Sequence, residues 1–273
     1  MSVPVLEFKD ASIRFGGLTA VAPLSFAIPP GELAAIIGPN GAGKTTVFNL
    51  ITGVYAPTSG EIWFDVQKVA SAGKSLKVHQ LVRRGIARTF QNIRLFGDLT
   101  VGDNVRAAFC GHCDYSLLHA LFRSRKLART ENEIDLQTRE LLELFGLADR
   151  ADLLASGLPY GDQRRLEIAR AVATRPKLLL LDEPTSGMNP SETDAVTQTI
   201  RLVRKQMGIT VLLIEHHMSL VMGICERVIV LDGGVKIADD IPLAIQNNPH
   251  VIAAYLGEPD PEIDAAIEQH HAL

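Results

Sequence analysis

Basic residues are in slight deficit in this chain: 27 Lys and Arg stand against 31 Asp and Glu, a formal net charge of −4 with histidine neutral. A protein without a net positive field has no long-range means of collecting phosphate backbone, so nucleic acid is not an expected partner. Long hydrophobic runs are missing too. Leu178–Leu181, Ile209–Ile214 and Val228–Leu231 fall far short of the ~18–20 apolar residues that a membrane-spanning helix requires. The opening residues Met1-Ser2-Val3-Pro4 carry neither the basic nor the apolar region of a secretory signal, and there are only three cysteines. Both features suit the reducing cytosol as the expected compartment. Nor is the chain polar enough to stay unfolded, since 47% of its residues are apolar and 21% charged, which excludes global disorder.

What is present reads as alternating strands and helices with an insertion. Val5–Phe8, Ile13–Phe15 and Leu33–Ile37 are expected strands, the last a buried apolar run ending at a glycine-rich turn. A helix follows from Lys44 to about Thr52, closed by Gly53 and Pro57, and Glu61–Phe64 alternates as a strand after Gly60. Beyond Gln91 the pattern turns helical. Thr100-Val-Gly-Asp103 resembles a capping box, and Glu131–Phe145 presents Ile134, Leu141, Leu142 and Phe145 ahead of a Gly146 stop. The basic cluster Arg123–Arg129 reads as a solvated helix face. After Pro176, strands are expected at Lys177–Leu181, Ile209–Ile214 and Arg227–Leu231. Asn189-Pro190-Ser191-Glu192 offers an N-cap, a proline at N1 and an acid at N3 for a helix that Gly208 ends. From about Lys236 two short helical stretches are expected, then a loose polar end of about a dozen residues.

The chemistry concentrates in two places. Gly38-Pro39-Asn40-Gly41-Ala42-Gly43-Lys44-Thr45 fits G-x-x-x-x-G-K-[ST] between a buried strand and a helix. Glycines let backbone amides curl around phosphates, and the helix N-terminus adds partial positive charge. Lys44 would reach the β- and γ-phosphates and the Thr45 hydroxyl would hold Mg²⁺. The second place is Asp182-Glu183, delivered by a strand at the end where open α/β sheets bind ligands. Asp182 suits metal coordination, and Glu183, one step further, can orient or deprotonate a water that attacks the γ-phosphate. Cys110-Gly-His-Cys113 lacks the strand-to-helix setting of a thiol–disulfide motif and the four ligands of a zinc site, so it reads as incidental.

From about Leu6 to Gly257 the chain resembles the ATP-binding subunit of an ABC transporter. The resemblance implies an α/β P-loop NTPase core with a mixed β-sheet, an inserted helical subdomain and an N-terminal antiparallel β region. The expected divisions are 1–91 with 166–235 as the ATP-binding core, 92–165 as the helical subdomain, and 236–273 as a C-terminal helical appendix. ATP and Mg²⁺ are the implied ligands. The nucleotide site is implied to comprise Gly38 through Thr46, with Thr45, Gln91 and Asp182 on the Mg²⁺, Asp182 through water. Leu158-Pro-Tyr-Gly-Asp-Gln-Arg-Arg is similar to the family signature, so that Pro159, Tyr160, Gly161 and Asp162 would complete the ATP site of a facing subunit. Gln91 matches the glutamine that senses Mg²⁺ and faces the membrane subunit, and His216 matches the switch histidine that contacts the γ-phosphate. Phe15 matches the aromatic that stacks on adenine and equally fits a core position.

Two departures stand out. Pro159 occupies the signature serine position, removing a hydroxyl while, at N1, still preorganising the helix. The lost hydrogen bond to a charged group is worth about 1.5–3 kcal/mol, or roughly ten- to a hundred-fold. Asn189 stands where the family tends to have Asp. Together they suggest a chain that works beside a different ATPase. Arg14-Phe-Gly-Gly-Leu, Arg88-Thr-Phe-Gln-Asn-Ile-Arg-Leu-Phe, Ile214-Glu-His-His-Met and Asn247-Asn-Pro-His-Val-Ile-Ala-Ala-Tyr-Leu-Gly are similar to branched-chain amino acid importer ATPases. That resemblance implies two permease subunits, a second ATPase subunit and, indirectly, an extracytoplasmic solute-binding protein, with this chain on the cytoplasmic face of a bacterial or archaeal membrane. The alternatives are an exporter ATPase of the lipopolysaccharide type, a soluble ABC protein of DNA repair or translation, and a nucleotide-gated regulatory module with little hydrolysis.

Overall fold

Half-exposed alternation at the start of the chain and unbroken apolar runs later require two different sheets. The computed structural model, which describes residues 3–110 and 125–256, contains both. In the first sheet, β1 (Leu6–Phe15) pairs antiparallel with β2 (Leu18–Ile28). Then β3 (Leu33–Ile37), buried at all five positions, leads through a tight loop into α1 (Lys44–Ile51). The first sheet is finished in the order β2-β1-β4-β5-β6 by β4 (Ser59–Phe64), β5 (Gln67–Ser71) and β6 (Lys74–Ser75). Next come α2 (Val78–Arg84), β7 (Ile86–Arg88), α3 (Val101–Cys110), α4 (Arg125–Leu144) and α5 (Tyr160–Ala173). The α/β alternation resumes with β8 (Leu178–Asp182), α6 (Pro190–Met207), β9 (Thr210–Ile214), α7 (Met218–Ile224) and β10 (Arg227–Asp232). Last are β11 (Val235–Asp240), α8 (Pro242–Gln246) and α9 (Pro249–Leu256).

The second sheet runs β11-β10-β3-β9-β8-β7, parallel except for the antiparallel edge pair β10–β11. Its two faces feed two cores. Leu33, Ala35, Ile37, Leu179 and Leu181 face the helices, whereas Ala34, Ile36, Leu178 and Leu180 pack with α1 and the antiparallel sheet. A parallel strand covered on both faces reads as continuous apolar sequence for this reason.

Several elements differ from the sequence reading. Val5–Phe8 and Ile13–Phe15 belong to one strand, interrupted where the register shifts between Phe8 and Ala11 and Asp10 takes a φ of 47°. β2, β5, β6, α2 and β7 carry no clear periodicity and are additions. Val235–Asp240 is the sheet's edge strand, although the sequence division starts the C-terminal helical segment at 236. Its short polar stretch pairs with β10, and Arg227 Nε and Nη2 meet Asp239 at 2.6 and 2.9 Å. The capping box at Asn189 and the Gly208 stop form as expected. Thr100 Oγ1 accepts the Asp103 N–H at 3.0 Å at the start of α3. Cys110 closes α3, and the rest of the Cys110–Cys113 motif, Arg123 and Ser124 of the basic cluster, and the C-terminal end lie outside the described residues. Among the described residues no helix is long and apolar enough to cross a membrane.

Candidate functional site

The turn between β3 and α1 is shaped by close approach as much as by glycine freedom. Gly38 has φ 149°, and a Cβ there would sit 1.9 Å from the Leu231 carbonyl oxygen; at Gly43, φ 96°, it would meet the Ala20 carbonyl at 2.7 Å. Only glycine lets the loop pass between β2 and β10. The first-turn amides of α1 have no intrahelical partner and point into the loop. Lys44 Nζ folds over it, donating to the carbonyls of Gly38 at 2.7 Å and Pro39 at 2.8 Å. Burial lowers the Lys44 pKa, against the opposing pull of Glu183 first and Asp182 second.

A cavity of about 350 Å³ opens over this loop. Asn40, Gly41, Ala42, Gly43, Lys44, Thr45 and Thr46 form its floor, β2 contributes Leu18, Thr19 and Ala20, and Glu183, His216 and Gly233 close it. Phe15 is 45% exposed and edge-on to Tyr55, with ring centroids 5.1 Å apart, so it is not a core residue. It pairs across the hairpin with Leu18, which lines the cavity.

The carboxylate end of β8 supplies the rest. Asp182 ends the strand and pairs with Arg88 at 2.7 Å, both side chains being 7% exposed. Glu183 adopts φ 46°, a left-handed conformation that costs a non-glycine residue about 1–3 kcal/mol. Its N–H donates to the Ile214 carbonyl at 2.9 Å, and its carboxylate sits between two other expected site residues. Gln91 Nε2 donates to Glu183 Oε2 at 2.9 Å, and His216 Nε2 lies 2.6 Å from Glu183 Oε1. With Glu183 ionised, only an Nε2–H can make the second contact. Three residues far apart in sequence thus converge on the cavity's edge.

Pro159, Tyr160, Gly161 and Asp162 do not line this cavity. Pro159 is the N-cap of α5, with φ −55° and ψ 153°, and not its N1 residue, so it shapes the entry to the helix and brings no side-chain acceptor. Its carbonyl accepts the amides of Asp162 at 3.0 Å and Gln163 at 2.9 Å. Asp162 is turned inward to Arg165 and Arg150. Gly161 lies against Glu192, where a Cβ would come within 3.1 Å.

Two residues that sequence reasoning missed bind the Gln91 segment to this helix. Arg164, fully buried, donates through Nη1 to the Phe90 carbonyl at 2.6 Å and through Nη2 to the Gln91 carbonyl at 2.7 Å. Glu167 Oε1 accepts the Arg94 amide at 3.2 Å, and its other oxygen takes Arg164 Nη1 at 2.8 Å. Burial raises the Glu167 pKa, against Arg164 and the two amides. Arg and Glu three residues apart on a helix read as a surface pair in sequence, so no signal marked them.

The floor fits a triphosphate: a nest of amides, one ammonium, and a helix N-terminus with no acid in its first turn. Thr45, Asp182 and Gln91, the expected metal residues, carry the hard oxygen donors that Mg²⁺ takes. Among the described residues no cluster of three His, Cys, Asp or Glu could hold a metal unaided.

Comparison with known proteins agrees with this geometry. The ABC transporter family model matches residues 21–186, and the model of the branched-chain amino acid ATP-binding cassette transporter matches residues 235–261. The chain is 44% identical over 258 residues to the high-affinity branched-chain amino acid transport ATP-binding protein BraF of Pseudomonas aeruginosa, covering 94% of this chain and all of BraF. The ADP conformation of the ATP-binding cassette MJ1267 superposes with a TM-score of 0.79 at 28% identity, covering 94% of this chain and all of MJ1267. The post-hydrolysis dimer of the cassette MJ0796 bound to ADP and Pi superposes at 0.70 with 25% identity, over 87% and 98% of the two chains. With a phosphate loop, a carboxylate gathered by Gln91 and His216, and relatives matched along nearly its whole length, the chain belongs to the ABC transporter family as an ATP-binding, ATP-hydrolysing cassette.

Proposed function

We propose that this ATPase drives uptake of branched-chain amino acids or a closely related small solute through partner permeases, from the cytoplasmic face of the membrane. The observation that carries this reading is the match of residues 235–261 to the branched-chain amino acid transporter model, because that segment lies outside the phosphate loop and its carboxylates. The 44% identity to BraF over its full length supports it.

In this reading Lys44 and the amides from Gly41 to Thr46 hold the phosphates, and Phe15 stacks on the base. Thr45, Gln91 and Asp182 would hold Mg²⁺, which would supply neutralisation of phosphate charge. Glu183 orients the attacking water and takes its proton as the water oxygen bonds to the γ-phosphorus and the bond to the ADP oxygen breaks. His216 fixes the Glu183 carboxylate and contacts the γ-phosphate. A facing subunit supplies its own signature segment over the phosphates, while Pro159–Asp162 of this chain, which do not line its own cavity, serve the facing site. Pro159 weakens that second site, which favours a different ATPase as partner. The permeases would meet a groove of about 330 Å³ beside the Gln91 segment, where Val82, Phe90, Phe96 and Ala107 present apolar surface.

The test is reconstitution of the chain in proteoliposomes with candidate permease subunits and a solute-binding protein. ATP-dependent accumulation of leucine, isoleucine or valine is expected. Stimulation of ATP hydrolysis without accumulation of any of the three would remove branched-chain amino acids as the solute.

A further inference from the structure

Glu215 lies between the last residue of β9 and His216, and its residue surface is 1% exposed. Such a carboxylate needs several donors to remain buried, and it finds four. Oε1 accepts the Thr185 amide at 3.0 Å and the Thr185 hydroxyl at 2.5 Å. Oε2 accepts the amides of His216 at 2.9 Å and His217 at 3.2 Å. The hydroxyl's single proton is thereby committed, so the 2.8 Å contact between Thr185 Oγ1 and His217 Nδ1 is donated by the histidine. A directed chain results, from His217 through Thr185 to Glu215.

The backbone ladder between β8 and β9 ends at Asp182 and Ile214. Beyond it Glu183 and His216 leave on separate loops, yet their side chains meet at 2.6 Å. Glu215 joins those loops one step past the ladder: one oxygen holds the residue two after Glu183, and the other holds the backbone of His216. We infer that Glu215 is a positioning residue for hydrolysis, setting the distance between Glu183 and His216 through Thr185 and the His216 amide. This rests on the reading of Glu183 as the residue that acts on water. Glu215 itself touches neither the cavity nor, in that reading, the nucleotide.

The experiment compares wild type, Glu215→Gln, His216→Ala and the double variant for ATP affinity, kcat and the imidazole signals in long-range ¹H–¹⁵N spectra. Replacing one charged acceptor should lower kcat by roughly ten- to a hundred-fold while MgATP affinity stays within about threefold. In the His216→Ala background the same substitution should add nothing, the signature of two residues acting as a unit. The His216 ring signal, identified by its loss in His216→Ala, should shift in Glu215→Gln. Should Glu215→Gln fail to fold, Thr185→Val removes the hydroxyl at nearly constant volume and is expected to produce the same ring shift with a smaller kcat loss. Wild-type kcat in a folded Glu215→Gln protein, a full additional loss on top of His216→Ala, or an unmoved His216 signal overturns the inference. A wild type that binds ATP and never hydrolyses it sinks the hydrolytic reading instead, and the ring signal still decides whether Glu215 places His216.

Discussion

Arg88 Nη2 lies 2.7 Å from Asp182 Oδ2 with both side chains 7% exposed, an ion pair taken out of water at the end of the strand that delivers Glu183. Arg88 also donates to Asn49 Oδ1 at 2.7 Å and lies 5.5 and 5.2 Å from the ring centroids of Phe48 and Phe90. Removing it strands a buried carboxylate, at a cost of about 3–5 kcal/mol. Arg88→Ala should therefore lower the melting temperature by on the order of 10 °C, and Arg88→Lys by less. Thermal unfolding followed by circular dichroism checks both; equal losses in the two variants would deny the charge a role.

Glu183→Gln keeps the carbonyl oxygen between Gln91 and His216 but cannot take a proton. Turnover should fall by roughly 10²–10⁴-fold, with ATP still bound and an ATP-bound dimer accumulating on size exclusion. Steady-state hydrolysis and elution position in MgATP are the readouts, and appreciable turnover in this variant would remove Glu183 from its assigned role.

Pro159 caps α5 without a hydroxyl. In a homodimer Pro159→Ser should raise hydrolysis up to about ten- to a hundred-fold by restoring a hydrogen bond to a charged group. Hydrolysis rates of the two homodimers settle the matter, and identical rates would show that the asymmetry argument misplaces the defect.

Asp239 receives Arg227 at 2.6 and 2.9 Å and Lys236 at 2.9 Å. Burial pushes its pKa up, but these cations outweigh burial and hold it below the usual value. A carboxylate depressed in the folded state contributes stability above its unfolded pKa, near 3.9, and loses it as pH falls through the folded value. Asp239→Asn should be less stable than wild type at pH 7 and converge with it in acid. Urea midpoints measured from pH 7 to pH 3 provide the comparison, and a constant gap across that range would contradict the linkage.

Burial raises the Cys225 thiol to about 12, with Glu215 and Glu226 adding to the effect. At pH 8 the native protein should leave Cys225 unalkylated by iodoacetamide over hours, and denaturant should expose it within minutes. Peptide mapping by mass spectrometry tests this at the single residue.

Legibility in the sequence followed burial and local chemistry. Leu33–Ile37 and the Asn189 cap were readable because each is specified by its own residues. β2 was not legible because it carries no clear alternation, and its Pro23 is tolerated in an edge strand of the first sheet. The site divided in the same way. Lys44, Asp182 and Glu183 follow from strand–loop–helix logic, and Gln91 and His216 came only through family resemblance. Arg164, Glu167 and Glu215 depend on partners up to 77 positions away in sequence, as Phe90 is from Glu167, and no local pattern announces them.

The Arg164 clamp has a consequence for how force travels. Its guanidinium grips the Gln91 backbone and is carried by the helix that starts after Pro159. Tyr160, at the head of the same helix, donates to the Ser186 carbonyl at 3.2 Å. One helix therefore ties the Gln91 loop, through Arg164, to the segment that follows Glu183, through Tyr160 and Ser186, so a displacement of either is felt by the other.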